Sequence, residues 1–74
     1  METLYSGLSK DNLNKTLIMW AFQEGFKNPL PLQKLSDEQA LYEAAYDYLL
    51  DQEDFIYEIE QSPDEYWHLT RIYL

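Results

Sequence analysis

His68 is the only histidine in the chain, and it stands three residues after Glu65. On a helix, a Glu-x-x-His step turns both side chains inward, and carboxylate-bridged di-metal bundles use that step to ligate their ions. Such bundles need the step twice and further glutamates around it; here it occurs once, so no metal is expected. A second acidic group, Asp51, Glu53 and Asp54, has the charge to attract a hard cation. It lacks the glycine and the alternating ligands of a calcium loop, and is expected to be a solvated turn. The hydroxyls nearest to His68 in sequence, Ser62 and Thr70, carry no nucleophile motif, and two glycines, Gly7 and Gly25, cannot build a phosphate-binding loop. A chain of 74 residues also has little volume for the dry cleft that shifts a catalytic pKa. These residues predict a protein that is not an enzyme and holds no cofactor.

The acids carry the stronger signal. Between Met1 and Leu35 three acids (Glu2, Asp11, Glu24) face four lysines (Lys10, Lys15, Lys27, Lys34). From Asp37 to Glu65 there are eleven Asp or Glu and no Lys or Arg, and Arg71 is the only cation after that. The formal charge of −9 therefore belongs to the second half. Glu43, Asp47, Asp51 and Asp54, spaced by four, four and three, fall along one side of a helix that runs that far. Like charges four apart lose about 0.2 to 0.5 kcal/mol per pair, and acids near a helix C-terminus oppose its dipole. A sequence selected for stability and solubility alone interleaves both signs. The simpler account, that the acids keep an aromatic-rich domain soluble, stands beside a functional one.

That functional account is a docking surface for a protein with a basic face. Tyr42, Tyr46 and Tyr57 lie among the acids, and Glu58 and Glu60 follow. Tyrosine beside carboxylate suits a partner that offers arginines and an apolar groove. With Glu43, Asp47, Asp51 and Asp54 these residues form the expected partner-binding set, the chain modulating or inhibiting what it binds. One alternative is imitation of nucleic acid, with carboxylates standing in for phosphates. A helical stripe supplies a charge about every 6 Å against about every 1.7 Å in duplex DNA, so Glu58, Glu60, Asp64 and Glu65 would have to extend the same face. Another is a small accessory subunit or homodimer that uses Trp20, Phe22 and exposed tyrosines. Direct binding of nucleic acid or of an anionic membrane is disfavoured by the same field.

No apolar run approaches the roughly 20 residues that cross a bilayer, METLYSGLSK has no signal-peptide pattern, and cysteine is absent. A cytoplasmic location is expected. Apolar residues make up 46% of the chain, too many for a disordered acidic tail, so residues 1–74 should form one small folded domain.

Three stretches would position these groups. Leu13, Leu17, Trp20 and Ala21 recur at helical spacing between Ser9 and Gly25, with Ser9 or Asp11 as cap and Gly25 as a left-handed stop. The connector Phe26 to Leu35 holds two prolines, and its Leu30, Leu32 and Leu35 are expected to cover the core. Ser36 to Gln39 spells a capping box for a second helix, with Leu41, Ala44, Ala45, Tyr48 and Leu49 on its buried stripe to about Leu50. A turn is expected at Asp51 to Asp54, the alternative being a helix that continues to Glu60. Phe55–Glu60 and Tyr66–Leu74 read as a hairpin about Gln61 to Glu65, with Phe55, Tyr57, Ile59, Trp67, Leu69 and Tyr73 on one face and Glu58, Glu60, His68 and Thr70 on the other. Ser62-Pro63-Asp64-Glu65 also makes a helix start. The expected fold is α+β, two helices packed on a C-terminal antiparallel hairpin, with an all-α three-helix domain as the alternative.

Overall fold

The computed structural model describes residues 1–74. Helix α1 spans Lys10–Gln23. Ser9 caps it by accepting the Asn12 amide at 3.0 Å, which satisfies one of the donors that a helix start leaves free. At the other end Gly25 takes φ +106°, and the Phe26 and Gly25 amides donate back to the carbonyls of Ala21 and Phe22. This is a Schellman stop, and it needs a residue that tolerates the left-handed region. A Cβ at Gly25 would also meet the Tyr48 hydroxyl at 3.0 Å. Leu13, Leu17, Ile18 and Ala21 are buried, so α1 is the central helix of the core.

Helix α2 spans Glu38–Leu50. Its cap is Asp37, which accepts the Ala40 amide at 3.1 Å; the expected box from Ser36 to Gln39 does not form, and Gln39 donates to Glu43 instead. One residue decides this, because Asp37 presents an equally good acceptor closer to the first turn. The two helices run in the same direction. Lys10, at the start of α1, reaches the Tyr42 hydroxyl near the start of α2, while the Tyr48 hydroxyl near its end donates to the Glu24 carbonyl just beyond the end of α1. The connector must therefore travel back along the helix pair. It does so with Phe26 buried and with a short 3-10 turn at Leu32–Lys34, but Leu32 is 82% exposed, Leu35 is exposed, and Leu30 is only half-buried. The expectation that these leucines cover the core is corrected: proline-broken backbone has no face that can press three leucines inward at once.

The hairpin forms, as strand β2 (Phe55–Gln61) and strand β3 (Trp67–Tyr73). The all-α alternative and the helix prolonged to Glu60 are both excluded by it. A further strand is present that the sequence patterning did not mark: β1, Glu2–Gly7, pairs antiparallel with β3, giving the order β1-β3-β2. The register shifts between Thr3 and Tyr5, a bulge that breaks the strict alternation by which a strand is recognised. Register fixes the faces. Phe55, Tyr57, Ile59, Leu69 and Tyr73 share the inner face with Arg71, while Ile56, Glu58, Glu60, His68, Thr70 and Ile72 share the outer one. The core lies between that inner face and the helices, where Leu13, Leu17, Ala21, Tyr42, Ala45, Leu49, Tyr57 and Leu69 meet. The architecture is a small α+β domain with two helices and a three-stranded antiparallel sheet.

Candidate protein-docking surface

Every one of the eleven acids from Asp37 to Glu65 is exposed. None of them is in an ion pair. The three ion pairs of the chain are Lys15–Asp11 at 3.1 Å, Arg71–Glu2 at 2.7 Å and Arg71–Glu24 at 3.2 Å, and all three use acids from the first half. The second half thus carries its charge with no cation against it. Lys10 does not relieve it either, since its ammonium sits 4.7 Å from the Tyr42 ring centre and 5.5 Å from that of Trp67. Partial burial there lowers the Lys10 pKa.

The nine expected partner-binding residues separate into four groups. Glu43 and Asp47 lie on the exposed side of α2, and Asp51 is its C-cap, where a carboxylate opposes the helix dipole. Asp54 is not on the helix; it lies in the turn before β2, and its carbonyl accepts the Leu74 amide at 3.1 Å. Glu58 and Glu60 project from the outer face of β2, the side of the sheet that no helix covers. Tyr57 and Tyr42 are buried members of the core, and Tyr46 is half-buried, its ring centre 6.0 Å from that of Tyr42. Burial raises the Tyr42 pKa, and the neighbouring Tyr46 adds to that. The α2 acids and the β2 acids consequently face away from each other across the two layers. They do not extend one continuous row of charge.

Arg71, the one cation after Lys34, is not among the expected site residues, although it stands among aromatic residues. It is 9% exposed, on the inner sheet face. Its guanidinium carbon lies 4.4, 4.9 and 5.3 Å from the ring centres of Phe55, Trp20 and Tyr73. Glu2 and Glu24 accept from it, as does the Tyr73 hydroxyl at 3.2 Å. Burial works against its charge, and bonding to Tyr57 together with the field of Tyr73 and Glu2 more than offsets that, so its pKa is raised. The planar guanidinium can stack and bond at once, which a lysine there could not do.

His68 forms a polar bridge. Its Nδ1 lies 3.1 Å from the Ser6 hydroxyl and its Nε2 lies 3.2 Å from that of Ser62, which donates in turn to Asp64. That last bond lowers the Asp64 pKa. The bridge ties β1 to the hairpin turn, and β1, the missing strand, is why it was not legible beforehand. No three His, Asp or Glu side chains converge as a metal site would require, and no pocket opens beside the Ser6–His68 pair. No helix is long and apolar enough to cross a membrane. The chain matches no protein-family model, and comparisons with curated proteins and with solved structures return no significant relative.

Proposed function

We propose that this chain is a non-enzymatic, cytoplasmic, acidic interaction module that docks on the basic surface of another protein and modulates or inhibits it. One observation carries the proposal: eleven exposed acids without a single ion pair, in a domain whose only second-half cation is turned into the core. Such a field attracts a basic partner over about 8 to 10 Å at ordinary salt and raises its association rate. Imitation of DNA is less well supported, because Glu43 and Asp47 lie on the opposite side of the molecule from Glu58 and Glu60.

The test is a capture from host lysate at low and at roughly 0.5 M salt, followed by direct titration of whatever purified protein is recovered. Wild type is compared with two charge-neutral variants, Glu43→Gln/Asp47→Asn/Asp51→Asn and Glu58→Gln/Glu60→Gln. A salt-sensitive partner that one variant loses supports the proposal and assigns the face. A partner that both variants retain at high salt overturns it and favours an accessory subunit. That second role has its own observation: Met19, Phe22, Leu32 and Leu35 are exposed on α1 and the connector, away from the acids of β2.

A further inference from the structure

Strand β2 is an edge. In the order β1-β3-β2 it bonds to β3 on one side only, and no loop, turn or side chain bonds to the backbone groups on its other side. Those groups form a template on which an extended segment can add as a fourth strand. The side chains around the template select the occupant. On the outer face Glu58 stands opposite Thr70 and Glu60 opposite His68, and Glu53, Asp54, Asp64 and Glu65 flank the strand with no lysine or arginine. On the inner face Phe55 and Ile59 are only half-buried, since nothing lies beyond them at the edge.

We infer that the partner engages by β-strand addition to β2, through a segment that alternates Lys or Arg with apolar residues. This rests on the docking role proposed above and specifies its site. Residues directly opposite each other in neighbouring strands place their Cβ atoms about 4.5 to 5.5 Å apart, close enough for opposite charges to pair and for like charges to repel. The segment's cations then meet Glu58 and Glu60, and its apolar residues extend the cover over Phe55 and Ile59. A second copy of this chain is the poorer occupant, because two β2 strands paired about Ile59 set Glu58 beside Glu60 and bring no cation to either. The other edge, β1, fits this segment poorly: its bulge breaks the ladder, Glu2 is already bonded to Arg71, and its outer face offers Thr3 and Ser6.

The test uses the intact chain and three probe peptides: one alternating lysine and valine over nine residues, one of the same composition with lysines and valines in separate blocks, and the alternating one N-methylated at every second residue. Binding is titrated at low salt and amide hydrogen exchange is followed by NMR. The alternating peptide is expected to slow exchange of the β2 amides that do not bond to β3 by at least tenfold, and N-methylation to weaken binding by at least tenfold. The variant Glu58→Lys/Glu60→Lys should lose this peptide and gain an alternating glutamate–valine one. Equal binding of the blocked and methylated peptides, with no new protection in β2, overturns strand addition and leaves the acidic docking role standing. Protection that appears on β1 instead also overturns it. Failure of all three peptides to bind also overturns strand addition, while the lysate capture described above decides the docking role on its own.

Discussion

Glu2 and Glu24 meet a guanidinium held among three aromatic rings, whereas Glu58 and Glu60 meet no cation at all. The same side chain therefore does two different things in one small domain. Around Arg71, charge is structural: β1, the end of α1 and β3 are joined by carboxylates whose loss would leave the guanidinium uncompensated. On β2, charge is displayed, and the fold has no use for it. A net charge of −9 conceals this division, which appears only when each acid is asked what it touches.

The largest expected effect attacks the structural side. Arg71→Ala should cost about 3 kcal/mol, since it removes a buried, stacked side chain and leaves the half-buried Glu24 without its cation; urea denaturation measures it. Arg71→Met keeps the stacked stem and should recover part of the loss. If Met is as costly as Ala, the cluster is held by charge alone. Next, Glu65 adopts φ +69°, a left-handed conformation that glycine reaches without strain. Glu65→Gly should raise stability by about 0.5 to 1 kcal/mol, and a loss there would mean that this acid belongs on the structural side. Smaller still, the neutral variants of α2 and of β2 should shift stability by less than about 0.5 kcal/mol and upward, as like charges are removed. Added salt should stabilise wild type more than either variant, and an equal response would remove the basis for calling those charges mutually repulsive.

The smallest effect concerns Asp64, whose pKa is lowered first of all by the Ser62 hydroxyl. A carboxyl depressed in the folded state adds stability at pH values above its unfolded pKa and loses it as pH falls through the folded one. Ser62→Ala should return Asp64 toward the ordinary carboxylate range, followed by carboxyl NMR titration. An unchanged titration would show that the turn backbone, not Ser62, sets it.

Much of the fold was legible because its signals are local. Ser9 and Gly25 mark both ends of α1 by their own conformational preferences, and the alternation of Phe55, Tyr57 and Ile59 carries the hairpin. What escaped is long-range or irregular. β1 carries a bulge at the centre of a short, mixed sequence, and it gains its identity only from β3, more than sixty residues away. Arg71 became readable only with β1 in place, since one of its two carboxylates is Glu2. The acids were countable in the sequence, but the division of Glu43 and Asp47 from Glu58 and Glu60 depends on which layer each element joins.

The pairing of Glu2 with Arg71 also sets how the molecule responds to force. These residues sit at the open end of the β1–β3 ladder, the end from which both chain termini leave. Tension applied through the termini therefore acts across the ladder bonds one at a time, as in opening a zipper, and never loads them together in shear. The first side-chain contact to go is the ion pair of Arg71 with Glu2. A force that draws the two ends apart would therefore find little mechanical resistance at this ladder.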